Sequence, residues 1–433
     1  MLRKRLAVLA ACATVGMIAA LALGPATSSS APGENPIVHW SGVAESAISA
    51  PTAPGGPLRP PAASSVLAGM VHGAMYDAVA AVEGGLESFA TRVSAPPGAS
   101  VDAAVAQAAR DVLLARVPGQ ATYVQTEYDM FMAGITAGPA KDGGKAVGAA
   151  AAAGMLAFRT GDHFDDVVPY TQPPVGPGVF EPIAQGIINP SPPPKPVSVE
   201  LPYVRPFTYE GAAYRPDAPY ALTSKRYADD VAELKLIGGI GSTARTAGQR
   251  ETVLFHGSPT YVQFSRGLRR LINERGLEVR DSARLLGYTW VAVADTMIAC
   301  WEAKYHYMFW RPNHAIQRAD TDGNAATSPD PTWLPLLTGN HPEYPSGHAC
   351  FTGGVTSSLE RYFGTKRVQL KLTSTVDGAA LTRTYNNLDD LVAEVEDARV
   401  WGGLHYRTTM TESAKHFPRI ARDVAKDHFK KLR

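Results

Sequence analysis

Apolar residues recur at every third or fourth position along most of this chain. Nowhere do they alternate with polar residues over a run that reads as a strand. That periodicity admits helices and little else. In the N-terminal half it covers Ser65–Val82, Val101–Val117, Tyr123–Ile135 and Lys145–Phe158, all rich in alanine. It resumes over Ser224–Leu236, Ala244–Phe255, Thr260–Arg275 and Asp281–Tyr307, then over Gly347–Phe363, Asp389–Trp401 and Thr411–Lys430. The Asp281–Tyr307 segment is long and apolar through Leu285, Leu286, Trp290, Val293, Met297, Ile298 and Trp301, which predicts a helix through the core. The fold class is all-α, with two helical-bundle halves. There is no internal repeat.

The segments between helices divide the chain. Ser30–Ala63 is rich in Pro, Gly and Ser and reads as extended. Asp162–Ala221 is proline-rich, most densely over Pro190–Pro196, and a stretch that long is either functional or a linker. Its aromatics (Phe164, Tyr170, Phe180, Tyr203, Phe207, Tyr209) favour an ordered crossover over the bundle, with a flexible linker as the alternative. The division is a leader over 1–31, an N-terminal helical region with its crossover over 32–200, and a C-terminal helical region over 201–433.

Arg3, Lys4 and Arg5 precede an apolar run, Leu6–Leu23, and a small-residue stretch, Pro25–Ala31. This order reads as an export signal, cleaved to give a secreted protein with no stable membrane association; a membrane anchor is the rival reading. Cys12 lies inside the apolar run rather than after it, which argues against lipidation. The formal charge of +1 includes the three leader cations, so cleavage takes it to −2. No basic stripe accompanies it, and no nucleic-acid footprint is present. Cys300 and Cys350 remain after cleavage, as a pair or as two buried thiols.

Three polar runs interrupt the helical texture in the C-terminal region. HPEYPSGHA (His341–Ala349) places Ser346 as a helix N-cap and Gly347 and His348 in the first turn, where free amides favour an anion. AKYHYMFWRP (Ala303–Pro312) sets Lys304 and Arg311 seven apart, on one face if the helix persists, in an apolar stretch where two cations need an anion; taken alone, the pair reads as offsetting the dipole at a helix C-terminus. RVWGGLHYR (Arg399–Arg407) holds Arg399 and His405, with Gly402 and Gly403 bending the chain between them. Three cations, a hydroxyl, a glycine amide and two imidazoles suit a compact tetrahedral oxyanion, phosphate or vanadate.

In this order the runs resemble the signature KxxxxxxRP, PSGH, RxxxxxH of the vanadium-dependent haloperoxidase and type 2 phosphatidic acid phosphatase superfamily. The texture of Tyr203–Asp230 resembles its secreted bacterial haloperoxidase-like branch. The resemblance implies that Lys304, Arg311 and Arg399 hold the equatorial oxygens, with Ser346 and the Gly347 amide adding hydrogen bonds. It implies that His405 is the vanadium ligand, or the phosphohistidine nucleophile of a phosphatase, and that His348 is the general acid–base. The implied activity is oxidation of halide by hydrogen peroxide to hypohalous acid, with Lys304 polarising the peroxide and a small organic acceptor taking the halogen. Vanadate is the implied cofactor and phosphate its competing oxyanion. His341 resembles the second histidine of bromoperoxidase-type members and leans the site toward bromide; packing in the loop before Pro342 is the other reading. Phosphate-ester hydrolysis and non-catalytic oxyanion binding are the alternative functions. Oligomerisation is compatible with all three.

Other polar residues read as structural. Asp295 reads as a surface carboxylate, or as a partner for a site arginine. Asp397 reads as facing away, and His306 and His314 as packed or solvated. Asp320–Asn324 reads as a turn rather than a calcium loop.

Overall fold

The computed structural model describes residues 34–51, 58–183 and 195–432. The expected leader and most of the Pro190–Pro196 run lie outside those residues. The N-terminal half is built from α1 (Pro36–Ser49), α2 (Pro61–Glu83), α3 (Val101–Arg116), α4 (Ala121–Ala133) and α5 (Pro139–Phe158). After the crossover come α6 (Lys225–Glu233), α7 (Ala247–Phe255), α8 (Thr260–Arg275), α9 (Val279–Tyr307), α10 (Pro312–Gln317) and α11 (Gly347–Phe363). A hairpin, β1 (Leu370–Val376) and β2 (Ala379–Tyr385), precedes α12 (Leu388–Trp401), α13 (Arg407–His416) and α14 (Pro418–Asp427).

The expected helices form, with instructive differences. The segment read as extended over Ser30–Ala63 contains α1, capped by Asn35 accepting from the Ile37 amide. Two prolines hid these helix starts: Pro36 and Pro61 sit at first-turn positions, where a missing N–H costs nothing. Pro418 divides the expected Thr411–Lys430 helix into α13 and α14 for the same reason. The hairpin corrects the expectation of no strand. Its alternation is confined to seven residues a side around Asp377-Gly378, both at positive φ, where a tight two-residue turn requires it.

Two helices organise the interior. α2 is long and apolar enough to cross a membrane, yet 89% of that stretch is buried, so here it is a core helix. It lies along α9, where Gly69 meets Trp290 and Ala294 and Gly287 meets Tyr76. Trp290 and twenty other residues of α9 are buried, which places the middle of that helix at the centre of the core. Asp295 sits there too, fully buried. It is not the expected surface carboxylate, nor is its carboxylate on a site arginine. It accepts from the amides of Phe207 (2.6 Å) and Thr208 (3.0 Å) and from the Thr208 hydroxyl, pinning the crossover to α9. Burial pushes its carboxyl up to about 6.

Cys300 on α9 and Cys350 on α11 form a disulfide. It staples the two helices that carry Lys304 and His348 to each other. Closing a loop with a sequence separation of 50 constrains the unfolded chain by about 4 kcal/mol. Replacing both cysteines with serine is therefore expected to lower Tm by several degrees. An unchanged thermal transition would show that the staple adds nothing to stability.

Candidate functional site

Four pieces of chain converge where α9 ends and α11 begins. Lys304 lies in the last turn of α9, fully buried. Its ammonium donates to the carbonyls of Pro342 (2.8 Å), Glu343 (3.0 Å) and Pro345, tying α9 to the loop ahead of α11. Arg311 does not share its helical face, contrary to expectation. α9 stops at Tyr307, Met308 turns left-handed, and Pro312 opens α10 with Arg311 as its N-cap. The two cations meet by a reversal of the chain. The buried Arg311 donates from Nε to the His341 carbonyl (2.8 Å) and from Nη1 to the Leu404 carbonyl (2.8 Å). Its Nη2 lies against the His341 ring, 2.8 Å from Nδ1.

Ser346 caps α11, its hydroxyl oxygen accepting from the Ala349 amide at 3.4 Å. Its hydroxyl hydrogen is left over for an acceptor in the site. Gly347 follows against the Trp301 ring, where a Cβ would come within 3.0 Å of ring carbons. Only glycine lets the helix start this close. His348 comes next, half-buried, with Nε2 3.2 Å from the His256 carbonyl. With the hydrogen on Nε2, Nδ1 keeps its lone pair.

Arg399 and His405 are brought together by a Schellman ending. The Gly403 amide bonds the Val400 carbonyl and the Leu404 amide bonds the Arg399 carbonyl, with Gly403 left-handed at φ 74°. A Cβ on Gly403 would meet the Gly238 carbonyl oxygen at 2.5 Å. Arg399 Nη1 donates to the His256 carbonyl (3.0 Å), and its buried Nε has no hydrogen-bond partner among the described residues. His405 is buried with Nδ1 2.8 Å from Glu343 Oε1, while Nε2 lies 3.5 Å from Arg311 Nη1.

The other candidates fall outside. Asp397 pairs with Arg407 at 2.6 Å. His306 lies 3.4 Å from Arg215, and His314 is buried on α10. Asp322 accepts from the Asn324 amide at 2.7 Å, in a turn.

Two contributors escaped sequence reasoning. Glu343 stood inside the HPEYPSGHA run, and an acid among cations was the available signal. It is fully buried and also accepts from the Tyr406 amide (3.2 Å) and the Thr409 hydroxyl (2.9 Å). His256, at the C-cap of α7, had no signal, because it lies 92 residues from His348. Its carbonyl serves both His348 and Arg399. Its ring lies 2.9 Å from Glu394 Oε1, which also accepts from Arg383 (2.6 Å) and Tyr385 (2.7 Å) of β2. Burial favours the neutral Glu394 acid, but the bonds from His256, Tyr385 and Arg383 outweigh it and hold the carboxyl down at about 2. The hairpin thus buttresses the site from behind.

The electrostatics suit an anionic guest. Lys304, Arg311 and Arg399 are all buried against one carboxylate, Glu343. Burial, with Arg311 beside it, holds the Lys304 ammonium well below its usual range. Burial lowers Arg311 to about 10, and burial with Arg311 nearby lowers Arg399 to about 9. His341, His348 and His405 are pushed far down by burial and then by these cations, so all three imidazoles are neutral near pH 7. Burial lifts Glu343 to about 7 despite Arg311 and Lys304. A buried excess of positive charge is costly without a counter-charge. Phosphate or vanadate fits: the Arg399 Nε, the Ser346 hydroxyl and the α11 N-terminus supply donors, and His405 Nε2 supplies a lone pair.

Such a centre, set among packed helices, is a candidate oxyanion site in a helical-bundle fold. Residues 284–433 match the family described as the VCPO second helical-bundle domain. A vanadium chloroperoxidase of Curvularia inaequalis is 35% identical over 94 residues, 19% of this chain and 15% of that protein. The match thus spans well under a fifth of the relative's length. The fold resembles the crystal structure of the first bacterial vanadium-dependent iodoperoxidase: TM-score 0.72, 18% identity, 92% of this chain and 95% of that one. It also resembles a holo-type bacterial vanadium-dependent chloroperoxidase: TM-score 0.66, 15% identity, 84% and 91% coverage. Residues 284–433 thus match that second helical-bundle domain, and over most of its length the chain shares the fold of those structures.

Glu343 orients His405 by accepting from Nδ1–H, which leaves Nε2 as the free donor atom. Glu343→Gln keeps the shape and removes the charge. Orthovanadate affinity measured by calorimetry is expected to fall about 10- to 100-fold. An unchanged Kd would mean that the carboxylate does not position the imidazole.

Proposed function

We propose that this protein is an exported vanadate-dependent haloperoxidase that oxidises halide with hydrogen peroxide to hypohalous acid, bromide being favoured. The observation that carries the reading is the buried cluster of three cations with two differently placed neutral imidazoles. His405 is buried and oriented by a carboxylate, as a ligand needs; His348 reaches the cleft, as a proton carrier needs. Arg3, Lys4 and Arg5 ahead of the apolar run Leu6–Leu23 support export.

Bound vanadate would supply Lewis acidity that activates peroxide for two-electron oxidation of halide. The residues of the chain do the rest. Arg399, Arg311 and the Ser346 hydroxyl hold the oxyanion's oxygens, and the α11 N-terminus adds its amides. His405 Nε2 would hold the vanadium through its lone pair. Lys304 keeps the local field positive where negative charge develops on oxygen. His348, anchored at Nε2 by the His256 carbonyl, takes and returns a proton at Nδ1. Phosphate competes for the same donors.

The deciding assay is paired. With orthovanadate, peroxide and bromide, the purified protein is expected to brominate a phenolic dye. Hydrolysis of a nitrophenyl phosphate without vanadate, and no bromination with it, would replace this reading by a phosphohistidine phosphatase. Binding of vanadate with neither activity would leave only an oxyanion-binding protein.

His341 supports the bromide preference. Its ring is clamped between Arg311 and Trp301, whose ring centroid is 5.1 Å away, and it lines the cleft that leads inward. His341→Phe is expected to shift the bromide-to-chloride ratio of kcat/KM toward chloride by about tenfold, the scale of one local contact. A ratio that does not move would reduce His341 to a packing residue.

A further inference from the structure

A cleft of about 400 Å³ leads to the site, with His341, Gly347 and His348 on its floor. An oxidant made over that floor leaves past the cleft walls. One wall is a face of α9. Met297, Trp301 and Lys304 lie at i, i+4 and i+7 on that face, so Met297 stands one turn, about 6 Å along the axis, above Trp301. Trp301 in turn packs on Gly347 at the floor. Met297 lines the cleft and is 2% exposed, so what access it has is through the cleft and not from the outer surface. It carries the one sulfur on the lining among the described residues. Cys300 and Cys350 are buried and paired, which removes the two thiols that would compete. The aromatic neighbours are poorer targets. Burial pushes the Tyr261 phenol well up, so it does not ionise to the more reactive phenolate. The Lys304 ammonium lies 5.5 Å from the Trp301 ring and draws on the same π density.

We infer that Met297 is an oxidation site of this protein: hypohalous acid formed at the floor converts its thioether to the sulfoxide before reaching any methionine on the outer surface, and the modified protein loses activity. The inference rests on the haloperoxidase reading and adds the fate of a residue beside that site. The step balances. The sulfur lone pair attacks the halogen, the halogen–oxygen bond breaks and hydroxide leaves. Water then adds at sulfur, halide departs and two protons are released, one of them to the hydroxide. The net change is thioether plus hypohalous acid to sulfoxide, halide and a proton; sulfur loses the two electrons that the halogen gains. A sulfoxide is polar, and here it stands in an apolar cleft one turn from Trp301, the ring on which Gly347 and the start of α11 are seated. Met130 on α4 is the contrast, 43% exposed and not on the cleft.

The test maps methionine sulfoxide by peptide mass spectrometry in the purified protein supplied with orthovanadate. During turnover with bromide and a slow feed of hydrogen peroxide, the ratio of Met297 to Met130 sulfoxide should exceed one. With the same total dose of hypobromite added from outside, the ratio should fall below one, because outer exposure then decides. Peroxide with vanadate but no bromide should leave Met297 intact. Met297→Leu nearly keeps the volume and removes the sulfur. It should retain the initial rate of iodide oxidation and lose less activity per turnover than wild type. Met130 oxidised first during turnover, or bromination of Tyr261 or Trp301 ahead of Met297 sulfoxide, overturns the assignment while halide oxidation stands. Sulfoxide at Met297 without bromide also overturns it, since peroxide itself would then be the oxidant. Equal decay of Met297→Leu and wild type overturns the link to inactivation. No oxidation of bromide or iodide, with Met297 intact, overturns the haloperoxidase reading and this inference with it.

Discussion

His405→Ala is expected to abolish vanadate binding and, with it, halide oxidation. The imidazole is a neutral lone-pair donor buried among Lys304, Arg311 and Arg399, and Glu343 fixes which nitrogen points inward. Loss of an outer partner of a metal ligand commonly costs 10- to 100-fold, so loss of the ligand itself should weaken affinity at least about 100-fold. The cations remain and still attract an oxyanion, so phosphate inhibition should persist at higher concentration. The substitution also strips Glu343 of a buried hydrogen bond, at a cost of about 1–3 kcal/mol. Circular dichroism and a thermal scan must therefore accompany the titration, and His405→Gln serves as the less disruptive companion. Vanadate affinity equal to wild type in folded His405→Ala would refute the ligand assignment.

His348→Ala is expected to do the opposite: spare binding and remove turnover. The ring enters from the cleft side, half-buried, and it is anchored by a backbone carbonyl rather than by a carboxylate. A positioned general acid–base contributes about 100- to 10,000-fold, so kcat should fall by that order while vanadate Kd stays near wild type. Persistent turnover would remove His348 from the proton path. A large rise in Kd with unchanged kcat would make it a binding residue instead. The two variants together separate holding the oxyanion from moving the proton. Neither one alone can do so, because each abolishes activity.

Much of the helical framework was legible because its determinant is local. The period of apolar residues marked α8 and α11 to the residue and α9 to within two. What was not legible is equally physical. Pro36 and Pro61 lay in a segment that read as extended, yet both start helices, since a proline at the first helical position loses no hydrogen bond. The hairpin is short, and its second strand carries the polar side chains that buttress His256 and Glu394. Asp295 looked like a surface carboxylate because its partners, the amides of residues 207 and 208, lie 87 or 88 positions away. Whether Cys300 and Cys350 pair depended on how α9 packs against α11, which no local pattern encodes.

The sequence by itself determined the helical class and the inventory of the candidate oxyanion site. Lys304, Arg311, Ser346, Gly347, His348, Arg399 and His405 are named by three short runs, because residue type and spacing limit which guest they suit. Only the tertiary structure decided how they are aimed. The reversal at Met308 brings Arg311 back beside Lys304, the Schellman turn returns His405 over Arg399, and Glu343 and the His256 carbonyl set which imidazole nitrogen is free. The apolar cleft, too, exists only because α1, α2, α8 and α9 meet there. Composition and period are properties of neighbours along the chain, whereas orientation, burial and charge excess are properties of neighbours in space.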